Sequence, residues 1–168
     1  MNRKGSSLLD LVFVTAGFLT LAITIITMTL FLTNFNTEWQ GIDDITPASK
    51  SLVSNSLPRY YAVFDGVFLF LAIGSAISLF FGAALLKTNP AFFLIGSLMM
   101  AVIVLITMFI RDTYLAIVST APTAAAEANF VIMPYVMNNL VTMTLVTGFL
   151  IIIGLYMKVK GDRERKNY

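Results

Sequence analysis

The chain has 168 residues, of which 58% are hydrophobic and only 12% charged, against roughly 25% charged in an ordinary soluble domain. It contains neither Cys nor His, which excludes disulfides, thiol chemistry, Cys- or His-ligated metals and histidine acid–base catalysis. The net charge of +2 excludes little by itself, but the apolar residues stand in long unbroken blocks that read as membrane spans rather than half-buried elements.

The first block, Leu11 to Leu32, carries no charge over 22 residues, where about 20 suffice to cross the hydrocarbon as a helix. It is too long for the apolar core of a secretory leader and ends in Thr33-Asn34-Phe35-Asn36 rather than a small-residue cleavage site. Arg3-Lys4-Gly5 followed by Asp10 is similar to a pilin-type leader, but three further apolar blocks follow, so an anchor over 11–33 is expected. Residues 34–61 contain Trp39, Pro47, Pro58 and the serines 49, 51, 54 and 56, a composition that predicts a long polar loop.

The second span is expected over 62–86, with Asp65 in its first turns. Lys87-Thr88-Asn89-Pro90 then leaves room only for a tight turn, making a helical hairpin with a third span over 91–111. A second long loop is expected over 112–135, with helical structure beginning near Ala124–Glu127 and a bend at Pro134. The fourth span is expected over 136–157, cleanest from Leu140 to Met157, and a basic tail occupies 158–168. The predicted fold is an all-α membrane protein: one domain of four transmembrane helices.

Charge sets its orientation. Arg3, Lys4, Lys87, Lys158, Lys160, Arg163, Arg165 and Lys166 fall on one side, eight of the eleven basic residues. Lys50, Arg59 and Arg111 fall on the other, beside Glu38, Asp43, Asp44, Asp112 and Glu127. The positive-inside rule puts both termini in the cytoplasm, and the even span count agrees. Trp39, Tyr60, Tyr61, Tyr114 and Tyr135 gather near the outer interface, as aromatic belts do.

No catalytic, cofactor-binding or metal-ligating set is visible; phosphate-binding loops, nucleophile elbows and metal motifs are missing from the sequence. Ionisable groups near membrane depth are the natural candidates instead. Asp65 and Arg111 are placed to form an ion pair near the outer ends of spans two and three. A proton or ion path is the functional reading of Asp10, Asp65, Arg111 and Asp112. Interfacial pairing is favoured, because no charge lies near the middle of any span. Asn138 and Asn139 are expected to cap backbone groups freed around Pro134, or to bond to a neighbouring helix.

Small residues suggest helix contacts, within the bundle or between copies. Gly74, Ser78 and Gly82 recur every four residues in span two; Ala16, Thr20, Thr24 and Thr27 share a stripe in span one; Thr144, Thr147 and Gly148 do so in span four. The tail residues Lys158, Lys160, Arg163, Arg165 and Lys166 are basic enough to hold anionic lipid. An acidic protein surface or nucleic acid would meet the same charges.

Leu86-Lys-Thr-Asn-Pro-Ala-Phe-Phe-Leu-Ile, then Arg111-Asp-Thr-Tyr, then Phe130 to Tyr156 with its Pro134–Asn139 approach, cover about 80 residues. This half resembles the small multi-span membrane proteins of tailless icosahedral viruses with an internal bilayer, the corticovirus-like and tectivirus-like phages. The resemblance implies a non-enzymatic structural component of a virion membrane, many copies of which tie the bilayer to capsid proteins. It also implies residence in a host or bacterial cytoplasmic membrane or in the virion's internal membrane. The alternatives are a small oligomeric channel, a holin-like or transporter-like unit, or an accessory subunit of a cellular membrane complex.

Overall fold

In a computed structural model, residues 7–85 and 91–166 are described, and all of their regular structure is helical. Six helices follow in order: α1 Ser7–Gly41, α2 Pro47–Leu85, α3 Ala91–Val118, α4 Ala121–Glu127, α5 Ile132–Asn138 and α6 Leu140–Lys166. Three of them are long and apolar enough to cross a membrane unaided, and α5 with α6 forms a fourth candidate bent by 69°. An integral membrane protein of three or four spans is the result. The tight turn expected at 87–90 lies outside the described residues.

Contacts between side chains give the helix directions. Phe18 meets Phe68 with ring centroids 5.3 Å apart, Thr33 meets Tyr61 and Gln40 meets Lys50, so α1 and α2 are antiparallel. Gly148 of α6 sits on Met100 of α3, and Gly154 faces Phe80 of α2. α1 and α3 therefore run one way, α2 and α6 the other. The main core joins Phe18, Ala22, Ile25, Ile26, Phe68, Ile110, Tyr114 and residues of α4 and α5. A second cluster of Leu11, Leu79, Met100, Ile103 and Ile151 closes the opposite end.

The expected loop over 34–61 is instead helix on both sides of a short turn at 42–46. Its cause lies in two sequence features. Thr46-Pro47 is a helix start: Ser49 donates its backbone N–H to the Thr46 hydroxyl, and Pro47 has no N–H to leave orphaned in the first turn. Beyond it Val53, Leu57, Tyr61, Phe64 and Phe68 repeat at helical spacing and lie on the half-buried or buried face. The serines 51, 54 and 56 turn their hydroxyls back to carbonyls three residues earlier. At 35 and 39 residues, these helices measure about 52 and 58 Å at 1.5 Å per residue. Both exceed the roughly 30 Å of hydrocarbon by 20 Å or more.

The loop expected over 112–135 is also largely helical. α3 runs on to Val118, α4 follows, and α5 begins inside the segment. The expected bend at Pro134 is displaced: Pro134 lies in the first turn of α5, and the chain breaks five residues later at Asn139. A proline in a first turn sacrifices no helical hydrogen bond, which is why it starts this helix rather than bending it. At the break Asn139 donates its side-chain amide to the carbonyl of Tyr135, 2.8 Å away. The Tyr135 carbonyl already accepts the backbone N–H of Asn139, so this bond adds to the break and is not the capping around Pro134 expected of the amide pair; Asn138 is exposed. The predicted tail is helical too, as α6 continues through Lys166.

Candidate functional site

The helix α5 starts against buried side chains, Asp65 and Met133 among them, and its first N–H groups need partners there. Four amides are at stake, those of Val131, Ile132, Met133 and residue 134, since the first four N–H groups of any helix lack partners within it. Asp65 takes three. Val131 and Ile132 donate to Oδ2 at 2.7 and 2.9 Å, and Met133 donates to Oδ1 at 2.8 Å. The fourth does not exist, because residue 134 is proline. A single carboxylate and a single proline thus leave no orphan donor at this helix end. The negative charge also stands against the positive end of the helix dipole.

Asp65 is only 8% exposed. It projects from α2 one turn before Phe68, which is fully buried against α1, so the same stretch of α2 fixes both the core and the carboxylate. The expected pairing with Arg111 is replaced by this arrangement. The oxygens of Asp65 serve amides, and Arg111 buries its Nε with no hydrogen-bond partner. Three convergent N–H groups fill the acceptor positions of the Asp65 carboxylate and leave Arg111 without it as a partner.

Around this point the bundle is stitched together. Tyr114 of α3, fully buried, donates its hydroxyl to Oε1 of Glu127 at the end of α4. Asn129 donates to the carbonyls of Ala125 and Ala126, closing α4. The ring of Phe130 meets Tyr61 edge-on at 5.5 Å. Pro58, Tyr61, Ala62, Asp65, Asn129 and Val131 line a cleft of about 370 Å³ here. Of these residues the sequence marks Asp65 as a candidate but not Glu127 or Asn129. Their signal is an acid and an amide just before an X-Pro helix start, facing an acid in another span.

The other expected site residues are dispersed. Thr20, Thr24 and Thr27 lie on the exposed side of α1 and donate to carbonyls four residues back. Within the chain they pack no helix; Leu11, Thr15, Phe18, Ala22 and Ile25 form the inward face. Apolar and β-branched residues fill that face better, while the threonine hydroxyls are satisfied locally and need no partner. Gly74 faces open space, with nothing within 4 Å of where a Cβ would stand, and Ser78 is exposed; Gly82 belongs to the same helix. The close approach occurs elsewhere, at Gly148, whose missing Cβ makes room for the Met100 side chain. Thr144 and Thr147 are buried beside it. Lys158, Lys160, Arg163, Arg165 and Lys166 all fall on the last turns of α6.

Among the described residues no three acidic side chains gather as a metal site would require. What the arrangement does chemically is hold backbone in place. No protein-family model, curated protein or solved structure matches this chain, so its function is read from these residues.

Proposed function

We propose that the protein is a non-enzymatic membrane scaffold that holds a rigid helical hairpin away from the bilayer for a protein partner. The observation behind this is the hairpin formed by the end of α1 and the start of α2. Its tip is fixed by a reciprocal pair: Gln40 donates to the carbonyl of Lys50 at 2.9 Å, and Lys50 donates to the carbonyl of Gln40 at 2.8 Å. Phe35 and Trp39 stack on one side at 5.6 Å. Glu38, Asp43 and Asp44 are exposed at the tip, and Lys50 is committed to Gln40. The tip is an acidic knob on a stiff stalk, suited to a basic surface on a protein shell.

In this reading both termini and Lys87 lie on the cytoplasmic or virion-interior side, and the tip lies outside. The resemblance to virion membrane proteins supports a role in joining an internal bilayer to a capsid, with many copies per particle. The basic helix end from Lys158 to Lys166 then lies against anionic headgroups.

Because the chain has no Cys, single cysteines report topology without background. A cysteine at Asp43 is expected to react with a membrane-impermeant maleimide on intact cells expressing the protein, and one at Lys166 only after lysis. The scaffold reading further expects tip carboxylates to cross-link to a basic protein of the particle. Replacing Glu38, Asp43 and Asp44 by Lys should abolish those cross-links and leave membrane insertion intact. Cross-links that survive the triple replacement would overturn the assignment of the tip.

A channel remains the second reading on one observation: the outward hydroxyls of Thr20, Thr24 and Thr27 would line a path if several copies met there. Ion flux in liposomes that vanishes in Thr20→Val/Thr24→Val would establish it against the scaffold.

A further inference from the structure

Four hydroxyl side chains meet between α1, α2 and α6. Thr15, Ser75, Thr144 and Thr147 line one cavity of about 40 Å³. Thr15, Thr144 and Thr147 are 3%, 2% and 9% exposed, so bulk solvent does not serve them.

Two of the four have already spent their proton. Thr15 donates to the carbonyl of Val12 and Ser75 to that of Ala72, which leaves acceptor lone pairs on both oxygens. Thr144 and Thr147 differ: among the described residues neither hydroxyl has a hydrogen-bond partner. A threonine in a helix can turn back to a carbonyl of the preceding turn, as Thr20, Thr24, Thr27 and Thr107 do. Thr144 and Thr147 leave that bond unmade. Nor does protein seal them off, since the sealed, unpartnered side-chain atoms among the described residues are Trp39 Nε1 and Arg111 Nε. Two free O–H donors and two sets of lone pairs thus share one small space.

Size and charge decide what fills it. A water needs roughly 10–15 Å³ of such space, so there is room for about two or three and too little for a whole organic ligand. A cation would need an anionic ligand, because neutral hydroxyls do not repay the burial of an unpaired charge. Among the described residues no carboxylate lines the cavity. Left dry, the Thr144 and Thr147 donors would forfeit the hydrogen bonds that water gives them in the unfolded chain. Water supplies both complements, accepting from the two free donors and donating to the two used oxygens. The rest of the wall is apolar, so the hydroxyls fix where the water stands.

We propose that this cavity is an internal hydration site, two or three waters that bridge α1, α2 and α6 through Thr15, Ser75, Thr144 and Thr147. The site lies inside one chain and needs no assembly of copies, unlike a path along the exposed stripe of Thr20, Thr24 and Thr27.

The test is magnetisation transfer from water, followed by solid-state NMR of the full chain in vesicles of equal phosphatidylethanolamine and phosphatidylglycerol. Thr37, exposed near the hairpin tip, and Thr107, fully buried and bonded to the Ile103 carbonyl, are the wet and dry references. Thr144 and Thr147 are expected to receive water magnetisation at least fivefold faster than Thr107. In Thr144→Val, which keeps the shape and removes the hydroxyl, the rate at Thr147 should fall at least threefold. Rates at Thr144 and Thr147 equal to that at Thr107 mean a dry cavity and overturn the site. An unchanged rate at Thr147 in the variant also overturns it, placing the water in the open groove of about 590 Å³ that Thr147 also lines. So does faster transfer to Thr144 from acyl-chain protons than from water, which would give the space to lipid.

Discussion

The α1–α2 hairpin and the broken α5–α6 span both carry a proline inside a helix, and they treat it in opposite ways. Pro58 lies eleven residues into α2, and the helix continues through it. Pro134 lies at the start of α5, and every N–H around it is assigned to Asp65 or removed. The difference is solvent. Pro58 is exposed, and a carbonyl that loses its helical donor there turns to water at small cost. Among the buried side chains around α5 an unmatched backbone group costs about 1–3 kcal/mol, so the chain breaks only where a side chain stands ready.

The largest test of this contrast is to remove that side chain. Asp65→Ala leaves three amides without acceptors in apolar surroundings, and the expected loss is about 3–6 kcal/mol. Asp65→Asn keeps one acceptor oxygen but aims an N–H₂ at donors, so it should recover less than half of the loss. The measurement is reversible unfolding in mixed micelles of SDS and a mild detergent. A change below about 0.5 kcal/mol for Asp65→Ala, the size of an ordinary surface substitution, would mean that α5 does not need its carboxylate cap.

A single kind of substitution made in both regions should give opposite signs. Pro58→Ala restores a helical N–H in a half-solvated helix, and a gain of about 1–3 kcal/mol is expected, since proline is that much worse than alanine in a helix interior. Pro134→Ala adds a fourth amide that Asp65 has no good geometry to accept, and a loss of about 1 kcal/mol is expected. Equal signs in the same unfolding assay would dissolve the distinction between the two regions.

These two regions also divide what is legible in the sequence from what is hidden there. The spans are readable because about twenty consecutive apolar residues suit a bilayer and little else, and α1, α2 and α3 contain them where expected. Residues 34–61 read as loop because their serines and prolines outweigh their spacing. Yet the Val53, Leu57, Tyr61, Phe64 series is present there, and Thr46-Pro47 announces the helix start. Asp65 is legible as a polar residue at a span end, but its partners are not. No pattern in one sequence says that a carboxylate in the second span meets amides 66 to 68 positions later. Such a pairing is set by the way α5 folds back, which depends on Tyr114 holding Glu127 and on the Asn139 break together. The threonine stripe misleads for a simpler reason. Hydroxyls bonded to their own helix look the same in sequence as hydroxyls that bond a neighbour.

The smallest expected effect lies at the far tip. Lys50→Met removes the bond from the ammonium to the carbonyl of Gln40 but leaves the reverse bond, from the Gln40 amide to the carbonyl of residue 50, available to the backbone. Both groups are within reach of water, so the global unfolding free energy should change by no more than about 0.5 kcal/mol. Local opening is the sensitive readout. Amide exchange in residues 36–54 should quicken severalfold in Lys50→Met, while exchange at Val131, Ile132 and Met133 stays as in the wild type. If the tip change speeds exchange at those three amides as well, the stalk and the capped helix behave as one cooperative unit. The hairpin would then transmit strain from a bound partner down to Asp65, instead of standing as an independent rigid arm.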